Sequence, residues 1–351
     1  MIAEIAERPF SHGTIALLNL SGQIDALEPQ VRLGRATVEV RVGLVELISL
    51  RGLMLSRIAD YERAEEIADQ LLRDAPDDGR AWVARARTRA GFHRFNDALA
   101  NIYRAEQLSL DAETAKSEQA AIFQALGRYD EALALREEAA QRRPSFENLA
   151  AMVGLYAERG EIAAAERQYA QCRSQYRGVS PFPLALLDFQ IGLMWMDENR
   201  LPDARRSFDS ARRLVPAYAQ AQGHLAEVEA QLGEIDFAVA SLLSLAASSD
   251  DPDYSAQLAR ILADAGRVGE SRPWRQLAAE RYDELLARHP EAFADHAAEF
   301  WLAAGADPDK AVRLANMNLK VRNTPRARAL LAQAVAAKAI FVASRSWTRV
   351  T

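Results

Sequence analysis

Along nearly the whole chain, apolar positions return every three or four residues, the period that gathers them on one face of an α-helix. Runs of alternating β-branched residues are scarce. The clearest, ATVEVRV at 36–42, flows without a turn signal into GLVELISLRGLMLSR and is therefore predicted to open a long helix, not a strand. The pattern predicts an all-α protein.

The helices carry a recurring punctuation. In GRYDEAL, Gly127 to Leu133, a small residue ends one helix, an apolar residue follows two positions later, and Ala comes three after that. The same phrase recurs as ADYERAE at Ala59, HRFNDAL at His93, GEIAAAE at Gly160, NRLPDAR at Asn199 and GEIDFAV at Gly233, and more weakly at Gly266 and Gly305. Successive intervals are 34, 34, 33, 39, 34, 33 and 39 residues. Such a beat marks a solenoid of stacked units.

Period and punctuation resemble the tetratricopeptide repeat, with its Gly and Tyr on a first helix and Ala, Phe, Ala, Pro on a second. The match is fullest in the fifth unit, at Gly192, Ala204, Phe208, Ala211 and Pro216. The third supplies Ala120, Gly127, Tyr129, Ala132, Ala139 and Pro144. The resemblance implies a right-handed superhelical solenoid of about eight antiparallel helix pairs, in which units too small to fold alone share one core. The expected organisation is an N-terminal segment at 1–34, capping or partly irregular. The superhelix follows at 35–325, with insertions near 178–183 and 267–290, and then a basic capping helix and frayed tail at 326–351. The Pro-rich GVSPFP at 178–183 predicts a kink or loosened interface, and Pro273 is expected to restart a helix that runs to His289.

Composition narrows the setting. The single cysteine, Cys172, forms no internal disulfide, no apolar run approaches the length that spans a bilayer, and the first residues lack a secretory pattern, so a reducing cytoplasm is expected. The net charge of −6 is unevenly spread. Nine Lys and Arg and no acid lie in 310–351, leaving 34 basic against 49 acidic residues, a net of −15, in the first 309. An acidic body without an aromatic-basic platform argues against nucleic acid. Thr324 to Phe341 reads as a final helix with Leu330, Leu331, Ala334 and Val335 on one side, covering the end of the solenoid.

No catalytic motif is present: there is no GxSxG, HExxH, GxGxxG or GxxxxGK[ST], so neither enzyme chemistry nor a cofactor is expected. The five histidines are scattered. His296 and Glu299 could share a helix face as metal ligands, yet a solvated charged face is the simpler account.

Two surfaces remain. The first helices of the resembled family line a concave groove. Residue-by-residue transfer puts Leu186, Phe189, Leu193 and Met196 of the fifth unit there as candidate partner contacts, after the small Ala150, Gly154 and Ala157 of the fourth. In the second unit GRAWVARARTRA carries Arg80, Arg85, Arg87 and Arg89, and Arg85 shares its repeat position with Arg51 and Gln119. Guanidinium groups are not left buried and unpaired. These five either meet carboxylates such as Glu65, Glu66 or Asp69, or form an anion-binding site. The expected function is a non-catalytic scaffold that binds a peptide or helical segment of a partner protein in the groove. The alternatives are a binder or enzyme for a small anionic ligand using the arginines, and self-association through the basic final helix.

Overall fold

The computed structural model describes residues 11–108 and 110–347, with side chains to 343. Every regular element in that span is a helix, and the helices are joined by short turns. The first is α1 (Gly13–Arg32), which precedes eight antiparallel pairs. The pairs are α2 (Val38–Leu55) with α3 (Ile58–Asp74), α4 (Gly79–Gly91) with α5 (Phe95–Gln107), α6 (Ala112–Leu126) with α7 (Tyr129–Arg142), and α8 (Phe146–Glu158) with α9 (Ile162–Gln175). Next come α10 (Phe182–Asp197) with α11 (Leu201–Leu214), α12 (Ala219–Gln231) with α13 (Ile235–Ser248), α14 (Asp253–Asp264) with α15 (Val268–Arg288), and α16 (Pro290–Leu302) with α17 (Pro308–Val321). The last helix is α18 (Pro325–Trp347). The all-α superhelix of about eight pairs expected from the sequence is the observed fold.

The punctuation has a conformational cause. His93, Gly127, Gly160, Asn199, Gly233 and Gly266 all have positive φ, the left-handed geometry that ends a helix and reverses the chain. In the first pair that role falls to Ser56, three residues before Ala59, and in the last to Ala306, one after Gly305. Close approach accounts for another glycine. A methyl at Gly192 would lie 2.6 Å from the Phe208 ring, so its absence lets α10 and α11 pack together. The buried alanines Ala64, Ala98, Ala132, Ala165, Ala204 and Ala238 repeat that economy at each crossing.

Stacked pairs coil until the chain meets itself, and the meeting points form a staircase. The inner turn of each early pair docks on the turn that follows the pair five places later. Gly13, opening α1, lies against the backbone of Leu214 and Val215. The α2–α3 turn meets the α13–α14 turn, where Ser249 Oγ donates to the Ser56 carbonyl at 2.5 Å and the Ser56 and Tyr254 hydroxyls are 2.6 Å apart. At the α4–α5 turn, Phe92 stacks on His289 with ring centroids 4.0 Å apart. Arg94 donates to His289 Nδ1 and His289 Nε2–H donates to Glu62, each at 3.0 Å. At the α6–α7 turn, Asn323 N–H donates to the Leu126 carbonyl at 3.2 Å.

Three local expectations are corrected. Pro273 lies inside α15, which runs unbroken from Val268. The carbonyl that Pro273 leaves without its helical donor, four residues back, belongs to Gly269, which is exposed on the helix surface. The 178–183 link does not loosen its interface. Tyr176 and Phe182 at its two ends are buried in the main core with Leu149, Val153 and Leu187, and Tyr176 Oη donates to the Ser180 carbonyl at 2.7 Å. On α18 the packed face is Ala327, Leu330 and Ala334, while Val335 points out at 51% exposure. The expectations for 1–10 and 348–351 lie outside the described residues.

Candidate interaction surface

Along much of the first-helix wall, polar side chains link one first helix to the next. Arg87 on α4 bridges Glu46 on α2 and Glu118 on α6, the latter at 2.8 Å. Gln124 on α6 donates to Glu158 on α8 at 3.1 Å, Arg260 on α14 to Glu227 on α12 at 2.7 Å, and Arg326 on α18 to Glu299 on α16 at 3.0 Å. A recess of about 280 Å³ opens beside this network, lined by Val45, Glu46, Ser49, Tyr61, Arg87, Thr88 and Gly91.

All five arginines singled out from the sequence have carboxylate partners within the protein. Arg51 makes a bidentate pair with Asp60 at 2.8 and 2.6 Å. Arg80 pairs with Asp78 and Glu39, Arg85 with Asp69, and Arg89 with Glu65 and Asp69. Arg87 has the two partners already given. Arg85 therefore reaches back to the preceding second helix, as does Gln119, which donates to Glu106 at 3.1 Å. At Arg85 and Gln119 this repeat position ties a layer to the one before it, whereas Arg51 is held within its own pair by Asp60, so both guanidinium groups at this position are engaged.

The apolar candidates on α10 divide. Phe189 is buried, packed on Phe208, Tyr218 and His224 with centroids 5.6, 5.2 and 5.4 Å away. It is a core residue, because α10 is apolar on nearly every side and α11, the turn after it and the start of α12 take that face. Leu186, Leu193 and Met196 are half-buried, as are Ala150, Gly154 and Ala157 on α8. Neither α8 nor α10 contains a Lys or Arg, and no ion pair joins them among the described residues. Three carboxylates flank the strip: Glu147, Glu158 and Asp197. Glu158 and Asp197 reach water yet stand deep in the wall, and that partial desolvation pushes both above the ordinary carboxylate range.

A second concentration of charge surrounds His296 on α16. Asp295 raises His296 to about 10 against its own desolvation, with Asp253 3.8 Å away adding to the effect. Burial pushes Asp295 up, but His296 and Arg322 draw it down to about 2. Burial and the charge of Asp253 push Asp251 upward. No cluster of His, Cys, Asp and Glu among the described residues is arranged to hold a metal.

Sequence reasoning missed Asp188, a fully buried carboxylate inside the apolar α10. It accepts from Tyr169 Oη at 2.8 Å, from Ser210 Oγ at 2.6 Å and from Arg173, tying α9, α10 and α11 together. The available signal was a charged residue in the interior of a helix whose only other polar residues are Gln190 and the terminal Asp197.

No protein-family model and no curated protein matches the chain. Solved structures do resemble it. A monomeric mutant of IFIT1 with m7Gppp-AAAA aligns over 89% of this chain and 76% of that one at 16% identity and a TM-score of 0.56. The human IFIT1 dimer with PPP-AAAA aligns over 85% and 77% at 16% identity and 0.54. The Cut9–Hcn1 hetero-tetramer of the APC/C aligns over 91% of this chain at 16% identity and 0.50, and there the chain spans 54% of the length it matches. At such identity the likeness establishes the fold: a superhelix of the tetratricopeptide-repeat type. No helix among the described residues is long and apolar enough to cross a membrane.

Proposed function

We propose that this protein is a non-catalytic scaffold that holds a peptide or helical segment of a partner protein against the α8–α10 wall. The observation that carries the reading is the contrast along the first helices. From α2 to α8 and from α12 to α18 polar side chains link one first helix to the next, but between α8 and α10 half-buried Leu186, Leu193 and Met196 lie beside the small Ala150, Gly154 and Ala157. A strip with apolar knobs and shallow gaps suits the spaced anchors of an amphipathic segment. The neighbours include a complex with protein and one with capped RNA. The flanking Glu147, Glu158 and Asp197 favour the protein reading here, since carboxylates repel a phosphate backbone.

The test is the paired change Leu193→Asp and Met196→Asp in the full chain, compared with wild type by affinity capture from the native cell and by circular dichroism. The expected result is an unchanged helical spectrum with loss of the partners that wild type retains. Full retention of those partners by the folded variant would overturn the reading.

A further inference from the structure

The eight pairs are flanked by two single helices, and each plays only half of a pair's role. α1 packs on α2, and its Glu28 meets Arg63 of α3, as a second helix does with the pair that follows. α18 packs on α16 and α17, as a first helix does with the pair before it. Both carry an apolar stripe on the side where the missing partner would lie. On α1 the stripe is Ile15, Leu18, Gly22 and Ala26, with Ile15 and Leu18 at 55% and 67% exposure and open space around Gly22. On α18 it is Ala332, Val335, Ala336, Ala339 and Ile340, with Val335 and Ile340 at 51% and 72%. These α18 positions follow helical spacing and lie opposite its packed face, so this part of the helix is apolar on both sides. That is the pattern of a helix covered on both sides.

We propose that a second copy of this chain docks end to end, the α18 stripe of one copy on the α1 stripe of the next, so that the two half-pairs form one complete unit. Three observations commit the site to this occupant. The stripes have opposite roles, first helix and second helix, which is the combination each internal pair uses. Their charges also differ in sign: α18 carries Arg326, Arg328 and Lys338 up to residue 343 with no acid, of which Arg326 and Lys338 already meet Glu299 and Asp309 of their own chain, whereas α1 carries Asp25 and Glu28, the latter already on Arg63, against Arg32. Two α18 helices would instead set like charges together. Finally, the internal staircase continues across the joint. Gly160, on the next inner turn, and Gly34, on the turn between α1 and α2, both have positive φ and open space around them. End-to-end docking brings the Gly34 turn of one copy to the Gly160 turn of the other, repeating the contact Gly127 makes with Asn323. The contact is heterologous and leaves a free end on each side, so assembly continues with concentration.

The proposal stands apart from the groove reading, and its test reads mass. Light scattering of the wild-type full chain at low salt is expected to give a mass above one chain that rises with concentration. Leu18→Asp alone and Val335→Asp with Ile340→Asp alone are each expected to give a folded monomer. An equimolar mixture of the two variants is expected to give a dimer and nothing larger, because one intact stripe of each kind remains. Ile15→Glu replaces Leu18→Asp should the latter lose helicity. A wild-type monomer at every concentration would overturn the proposal. An oligomer abolished by the α18 variant and not restored in the mixture would also overturn it, showing a symmetric α18 contact.

Discussion

The carboxylate of Asp250 accepts hydrogen bonds from the backbone N–H groups of Ile58 at 2.6 Å and of Ala59 at 2.9 Å, across 192 residues of sequence. The residue before α3, Arg57, gives it no side-chain cap, so the cap comes from the next gyre of the superhelix. One carboxylate thus satisfies a helix end and fastens two turns of the solenoid together. Asp250→Ala is expected to cost about 1 kcal/mol, the usual worth of an N-cap. The loss should appear as a lower urea midpoint and as faster amide exchange at residues 56–62, with the distant α8 and α9 unchanged. Equal exchange in the two proteins would show that the gyres are held elsewhere.

The arginine-rich α4 leads to a second expectation. Arg89 is 13% exposed and bonds Glu65 and Asp69, which are shared with Arg94 and Arg85. Arg89→Met keeps the aliphatic bulk and leaves a crowded carboxylate short of a donor. The expected loss is about 2 kcal/mol, in the range for hydrogen bonds to charged groups. Chemical unfolding would measure it. Wild-type stability should also be indifferent to added phosphate or citrate beyond the general effect of salt, because the guanidinium groups are already engaged.

His296 predicts a pH dependence whose sign follows from its shift. Its ordinary value is 6.5 and the folded value about 10, so the folded state keeps a proton that the unfolded chain releases first. The contribution is complete below about 6.5 and is lost as pH rises through about 10. The Asp295 contribution behaves oppositely: it is present above the ordinary 3.8 and disappears as pH falls through about 2. Between pH 6.5 and 10, urea midpoints of wild type should therefore fall more steeply than those of His296→Asn. Lysines and tyrosines titrate in both proteins, so the difference isolates His296. Parallel curves would remove the role assigned to Asp295 and Asp253.

Much of this architecture was legible because a repeat is a local property. The left-handed residues at His93, Gly127, Gly160, Asn199, Gly233 and Gly266 fall on the 34-residue beat, and each acts on its own two helices. The gyre contacts were not legible. Asp250 and Ile58 meet only because of the rise of the superhelix, a quantity summed over many small rotations that no short motif encodes. The α10 surface was half legible. An apolar helix has no polar stripe to fix its rotation, so Phe189 was grouped with Leu193 although the structure turns it into the core. The arginines were legible as a choice between carboxylates and a ligand, and only distances could make that choice.

The polar exception inside α10 supports the sharpest stability expectation. Asp188 is fully buried and accepts from Tyr169, Ser210 and Arg173, one donor from α11 and two from α9. A buried carboxylate is tolerated only when its acceptor sites are filled, and here three donors converge on it. Asp188→Leu would suit the apolar helix by composition, and helix propensity alone would favour it. It would nevertheless leave the half-buried Arg173 guanidinium without its counter-charge, along with two hydroxyls without an acceptor. The expected loss is about 3 kcal/mol, at the lower edge for breaking one side of a buried pair. Asp188→Asn keeps an acceptor and should lose less, and Asp188→Leu combined with Arg173→Met should recover part of the loss, because both halves of the pair are then apolar. A double-mutant cycle by urea unfolding measures that coupling. Additive losses would mean that Arg173 and Asp188 are neighbours without being partners.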